Sequence, residues 1–227
     1  MACAVLALAA CSPKATEAPK AAAAPATAPA PTLAAKSDAP AGTYDLDPAH
    51  TAVVFKVSHL GYSNYTANFD RVSGTLKFDP ANPAAMTVEA KIDPKSLDLP
   101  TPPRGFHDEL MGKSWFDAAT YPEITFRSTK VEPTGPNTAR VTGDFTLHGV
   151  TKPVVLETTF NGGYAPNAFD GARTGFSAHG TFKRSDFGMG YGVPAPGSNL
   201  GVSDDVEVSI ETEFGMGKPV TAAPAAK

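Results

Sequence analysis

Cysteine is nearly absent from this chain of 227 residues: the two it has, Cys3 and Cys11, both fall within the first eleven positions. The body after them has no pair to oxidise, which excludes a disulfide scaffold, a cysteine-bound metal and a cysteine nucleophile. Tryptophan is represented by Trp115 alone. Net charge is -4, which argues against a nucleic-acid-binding surface. No stretch beyond the leader approaches the roughly 18 apolar residues of a membrane-spanning helix. Five histidines, His50, His59, His107, His148 and His179, are scattered without the close pairing usual in zinc sites, so no metal or redox cofactor is expected. What the chain does have is glycine, proline and thirteen phenylalanines, a heavy aromatic load for one domain.

The first informative element is Leu8-Ala9-Ala10-Cys11. A short apolar run ending in small residues and a cysteine resembles a bacterial lipoprotein signal, in which Cys11 is acylated and the peptide is cut before it. The plainer alternative is an alanine-rich start that happens to contain a cysteine. No Lys or Arg precedes the apolar run, as expected if translation starts upstream of Met1. Residues 1–11 are thus expected to be a signal peptide ending at the lipidated cysteine. Because Ser12 and not an aspartate follows Cys11, the expected location is the periplasm, anchored to the outer membrane through the N-terminal lipid. Residues 12–41 are almost only Ala, Pro, Thr and Lys, a linker too poor in apolar side chains to fold alone and stiffened by proline. A single domain is expected over 42–215, and a frayed tail over 216–227.

Within that domain, apolar residues alternate with a period of two, the mark of half-buried strands. Val53, Phe55 and Val57 share one face, as do Val72, Leu76 and Phe78. Met86, Val88, Ala90 and Ile92 follow, then Ile124 and Phe126, Val141, Phe145 and Leu147, and Val154, Leu156 and Phe160. Phe176, Ala178 and Phe182 make a seventh strand, and Val206, Val208, Ile210 and Phe214 an eighth. Turn-forming runs such as Asp79-Pro80-Ala81-Asn82-Pro83 separate them. Only 97–120 departs, with Phe106, Leu110 and Phe116 closer to helical spacing. The fold class is therefore all-β: about eight antiparallel strands with one or two short helices near one end. Such strands bury their apolar faces as a sandwich or by closing into a barrel, and closure also removes the edges.

Signals for catalysis are weak. Gly175-Phe176-Ser177-Ala178-His179-Gly180 approximates a nucleophile elbow, but His179 replaces the second glycine and the segment reads as strand. Gly188-Met189-Gly190-Tyr191-Gly192 has no following helix or lysine for a phosphate loop and reads as a flexible aromatic loop. Arg184 and Asp186 share a face if the strand continues through them. They form either a structural ion pair or contacts to a ligand headgroup. Phenylalanines at strand positions are ordinarily core. Trp115 with Phe116, and Phe187, Met189 and Tyr191, instead place large apolar groups outside strand interiors, where a barrel mouth would lie.

Five blocks in order then carry a family resemblance. They are Tyr44–Thr51 with Val54–Gly61, Phe69–Gly74, Trp115-Phe116-Asp117 with Tyr121–Phe126, Gly143–Thr151, and Phe182–Met189. Together they resemble the YceI-like, or lipid/polyisoprenoid-binding, proteins across nearly all of 42–214. The resemblance implies a lipocalin-like eight-stranded antiparallel barrel, export beyond the inner membrane, and an apolar tunnel for a polyisoprenoid, quinone or other long-chain amphiphile. It supplies no catalytic residues and no cofactor beyond a bound lipid. The expected tunnel wall takes Phe55, Val57, Phe78, Phe126 and Phe145 from strands. Leu147, Phe176 and Phe182 follow from strands, and Leu110 from the helical segment. Trp115, Phe116, Phe187, Met189 and Tyr191 are expected at the mouth, with Arg184 and Asp186 as headgroup contacts. The chain departs from the family in its lipid anchor and in the proline-rich stretch 99–107 beside the expected entrance. Two other readings stay open. One is an enzyme acting on a tunnel-bound lipid, using His148, His179 or Asp186; the other is a structural lipoprotein whose barrel is filled by side chains. Partners are expected to be a lipid and a membrane, with no nucleic acid and a homodimer left open.

Overall fold

A computed structural model describes residues 37–217; the leader with Cys11, most of the linker and the tail from residue 218 lie outside the described residues. The strands are β1 (Gly42–Leu46), β2 (Ala52–His59), β3 (Ser63–Phe69), β4 (Val72–Phe78) and β5 (Thr87–Ile92). They continue with β6 (Leu97–Asp98), β7 (Ile124–Pro133), β8 (Thr138–Leu147), β9 (Val150–Tyr164), β10 (Ala172–Lys183) and β11 (Asp205–Met216). Neighbours follow the order β1-β4-β5-β7-β8-β9-β10-β11, and β11 pairs back onto β1 through Asp45–Gly215 and Leu46–Phe214. Every one of these pairings is antiparallel. Eight strands thus close into a barrel, the expected architecture, and leave it no free edge of the kind that invites aggregation.

The remaining strands form an extension at one end. After a 3-10 turn at Pro48–His50, β2 runs on from β1 and pairs with β11 between Ala52 and Lys56. Strand β3 folds back along β2, and β6 pairs with β3. Alternation alone did not mark β1 or β3. The former is short, and the latter interleaves its inward Tyr65, Ala67 and Phe69 with Asn64, Thr66 and Asn68. The one α-helix among the described residues, α1 (Phe106–Met111), lies at the same end, and no helix among those residues is long and apolar enough to cross a membrane.

Two apolar clusters mark the two ends. One gathers Phe69, Leu99, Leu110, Ile124, Leu147 and Met189, with Tyr65 and Trp115 packed against it, beneath α1. The other gathers Ala39, Tyr44, Phe78, Met86, Phe160 and Phe214. At that second end Ser37 bridges to Gly163 and the Tyr44 hydroxyl donates to the Pro40 carbonyl at 2.6 Å. The packed body therefore begins at least five residues before the boundary expected from composition.

Local chemistry fixes the turns. His148 and Gly149 both have positive φ, 51° and 73°, the geometry of a two-residue hairpin between β8 and β9. His148 is thus a turn residue. Gly143 serves a close approach: a Cβ there would lie 2.4 Å from the Phe126 ring, so only glycine lets that ring cross β8.

The long strand β1–β2 is locked to β10 and β11 by a charge cluster built around the buried Asp47. Arg173 donates to Asp47, Asp170 and Glu213, while His50 lies 2.8 Å from Asp47. Burial alone would raise the Asp47 carboxyl. Hydrogen bonds from Arg173, His50 and the Ala49 N–H outweigh it and hold the group below its ordinary value. Its contribution to stability is therefore fully present above the unfolded pKa of about 3.9, and is lost as pH falls through the folded pKa. Thermal melts should show the midpoint falling below about pH 4, and Asp47→Asn should blunt that acid slope. At neutral pH the substitution should cost about 1.5–3 kcal/mol, because Arg173 keeps its other two carboxylates. An acid limb unchanged in the variant would contradict this assignment.

Candidate ligand cavity

The inward faces of the barrel strands do not meet in the middle. They enclose a cavity of about 640 Å3, within the range of ligand pockets. A barrel filled by its own side chains is thereby set aside. The cavity runs from Val57, His59 and Val202 at the α1 end to Val131, Asn137 and Ala139 at the other. Three wall residues are themselves exposed: His59 and Pro103 mark where the cavity reaches the surface beside α1, and Thr87 lies at the start of β5.

Eleven of the expected positions line the cavity: Phe55, Val57, Leu110, Trp115, Phe116, Phe126, Phe145, Leu147, Phe176, Phe182 and Met189. Three do not. Phe187 is buried behind the wall, its ring 5.3 Å from Phe145 and 5.5 Å from Phe182. Phe78 packs beneath Phe160 and Phe176 at the far end, with Tyr44 on its other side. Tyr191 lies outside Trp115, edge-on at 5.4 Å. Alternation also left out wall residues that the structure supplies, chiefly Tyr65 and Phe69 from β3 and Phe106 from α1. The signal for the first two was present in the spacing of Tyr65, Ala67 and Phe69.

The expected Arg184–Asp186 face does not form. Strand β10 ends at Lys183 and a 3-10 turn covers Arg184–Phe187, so the two side chains diverge. Asp186 is exposed and takes 3.1 Å contact from Lys152. Arg184 is buried, 4% exposed, and pairs with no carboxylate among the described residues. Its Nε donates to the Ser203 carbonyl at 2.9 Å and its Nη2 to Val202 at 2.8 Å. Its Nη1 donates to the carbonyls of Met189 and Tyr191 at 2.7 and 2.8 Å. The glycine-rich loop read as flexible is thus pinned at Met189 and Tyr191 by two charge-assisted hydrogen bonds, and two more tie it to Val202 and Ser203. Burial pulls the Arg184 pKa down, opposed by the Asp204 carboxylate. The guanidinium also sits 5.5 Å from the Trp115 ring centre, within cation–π range.

The wall is therefore almost wholly apolar. Among the described residues, Arg184 is its only charged one, and no aspartate, glutamate or lysine lines it. None of His148, His179 or Asp186, the groups an enzyme reading would use, reaches it. Ser177 of the elbow-like segment donates instead to Glu211. Two hydrogen-bonding atoms of wall residues, Tyr65 Oη and Trp115 Nε1, are buried without a partner. Away from the cavity, Asp47, His50 and Glu213 bring potential metal ligands within 4.8 Å of one another. The positive charge there is supplied by Arg173, already bonded to both carboxylates.

Comparison with known proteins agrees with this architecture. The family model described as YceI-like domain matches residues 44–214. A UPF0312 protein of Pseudomonas savastanoi pv. phaseolicola is 40% identical over 181 residues, covering 79% of this chain and 90% of that protein. Another, from Pseudomonas syringae pv. tomato, is 42% identical over 159 residues, covering 69% and 81%. Among solved structures, BcnA of Burkholderia cenocepacia is similar with 31% identity and a TM-score of 0.62, covering 74% of this chain and 98% of that one. The Campylobacter jejuni YCEI protein follows with 30% identity and a TM-score of 0.60, over 71% and 90%. A polyisoprenoid binding domain from Saccharophagus degradans shares the fold at 18% identity and a TM-score of 0.54, over 76% and 97%. The chain belongs to the YceI-like family.

Proposed function

We propose that this protein is a cell-envelope lipid-binding protein that holds one long-chain isoprenoid, quinone or similar amphiphile in its barrel, tethered to the outer membrane by acylation of Cys11. The observation that carries the reading is the cavity, elongated, about 640 Å3 in volume and walled by aliphatic and aromatic side chains. An apolar chain transferred into such a space leaves water at about 25 cal/mol per Å2 of surface buried. A phosphate or carboxylate drawn down with it would meet no free cation among the described wall residues, since Arg184 spends four of its donors on backbone carbonyls. The chain end goes in, and a charged headgroup stays at the opening.

Ligand present at about 100 times its dissociation constant adds roughly 2.7 kcal/mol to folding stability. For a domain of this size the melting midpoint should rise by roughly 5–10 °C. A delipidated protein should show that rise with a long-chain isoprenoid and not with a short soluble analogue. An unmoved midpoint would count against the reading. The anchor is tested separately: Cys11→Ser should shift the protein from the membrane fraction to the soluble periplasm, because stable anchoring takes more than one acyl chain. Retention of the uncut leader on the mature chain would sink that part.

A further inference from the structure

Charge is distributed unevenly along this chain. From Val57 to Phe69, and again from Phe187 to Ser203, there is no Asp, Glu, Lys or Arg. The two stretches meet in space. The Leu60 N–H donates to Gly201 at 2.8 Å, His59 bridges to Val202, and Gly61 lies against the Asn199 side chain. Their tips carry Tyr62, Tyr191 and Leu200, which are 86%, 58% and 78% exposed. Directly beneath lie His59, Tyr65, Trp115, Met189 and Val202 of the cavity wall. Isolated exposed apolar side chains are ordinary. Three on two joined, uncharged loops at the opening of an apolar cavity form a patch with a use.

We propose that this rim is a membrane-docking surface, which sets the cavity opening against a lipid bilayer so that an apolar chain passes between them without crossing water. The inference rests on the lipid-binding reading above. Tyrosine rings suit the bilayer interface, with an apolar body and a polar tip. The neighbouring segment at the same end carries exposed Arg104, Asp108, Glu109 and Lys113, two charges of each sign. Such a surface fits a zwitterionic headgroup layer and provides no basic cluster for anionic lipid. The opposite end differs: exposed Phe169 there adjoins the ion-paired Asp170 and Arg173.

The described stretch starts and finishes away from the rim. Ser37 and Met216 both lie at the opposite end, at Gly163 and Ala172. Residues 12–36 can nonetheless span up to roughly 90 Å at about 3.6 Å each. The longest strand, β9, has 15 residues, or about 50 Å. An acyl anchor at Cys11 therefore leaves enough chain for the barrel to turn its open end to the same membrane.

The test uses the full-length chain carrying Cys11→Ser, so that no acyl chain contributes, with phosphatidylcholine vesicles in a sedimentation assay. Vesicle binding should fall at least tenfold in the triple variant Tyr62→Ser, Tyr191→Ser, Leu200→Ser, and should change less than twofold between 0.1 and 0.5 M salt. The triple variant should still take up a long-chain isoprenoid from detergent, because none of its three residues lines the cavity. Absence of vesicle binding by the parent, equal binding by the triple variant, or a steep loss with salt would overturn the proposal. So would conversion of a dimeric parent to a monomer by the triple variant, which would make the rim a contact between copies. Failure of both proteins to take up isoprenoid, with vesicle binding behaving as expected, would instead reject the lipid-binding reading and leave docking standing.

Discussion

Phenylalanine at both Ala90 and Ala178 is expected to abolish isoprenoid uptake while leaving the barrel folded. Both alanines line the cavity. They sit on β5 and β10, which are four strands apart in either direction around the closed eight, so the two new rings enter from opposite walls. Overpacking a filled core costs about 1–3 kcal/mol. Here the added atoms occupy empty space, and burying them is favourable by the same transfer term that favours ligand. The melting midpoint of the lipid-free variant should therefore stay level or rise, while the roughly 5–10 °C increase on adding ligand disappears. A variant that still gains that increase would show that lipid binds elsewhere. Loss of folding would be read against the single substitutions Ala90→Phe and Ala178→Phe, each of which should weaken uptake in part.

The second large effect is expected at Arg184. Replacement by methionine keeps a long apolar stem but strands the carbonyls of Met189, Tyr191, Val202 and Ser203 that the guanidinium now holds. A buried polar group left unsatisfied costs about 1–3 kcal/mol; with the Met189 bond buried and the other three part-buried, the four together should cost about 4 kcal/mol. That corresponds to a midpoint lowered by roughly 8–16 °C, with amide exchange accelerated across 189–203. Arg184→Lys should recover little, because an ammonium lacks the planar fork that reaches four acceptors at once. A midpoint within 2 °C of the parent would mean that the loop is held by something other than this side chain.

The limits of sequence reading follow a physical pattern. Strands in which β-branched and aromatic residues alternate with charges, such as Val206–Phe214, declare themselves because both periodicity and composition agree. Strand β3 has the periodicity without the composition, and β1 is too short to show either. The helical segment was legible as an interruption, yet only Phe106–Met111 completes an α-helix. Arg184 and Asp186 were misplaced because alternation was carried past Lys183, where the backbone turns. No local pattern marks that boundary in advance.

The cavity shows the same division. Alternation tells which side chains face inward, and so gave most of the wall. Whether inward side chains meet or leave a void depends on how many strands close and on the pairing of β1 with β11, 170 residues apart at Asp45 and Gly215. Phe187 and Tyr191, expected at the mouth, do not line the cavity: the first is turned behind the wall and the second outward. The cluster of Asp47, His50, Arg173 and Glu213 had no signal at all, since its members come from three distant segments. Closure assembles it.

The central claim is that the barrel exists to hold an apolar chain. Native mass spectrometry of the full-length protein, purified from its envelope in mild detergent, tests it most directly. The account predicts a species heavier than the protein by one long-chain lipid, in a ratio of one per chain, released by organic extraction with a lowered melting midpoint. A protein that carries no such mass, and whose midpoint is unchanged by extraction, would contradict it.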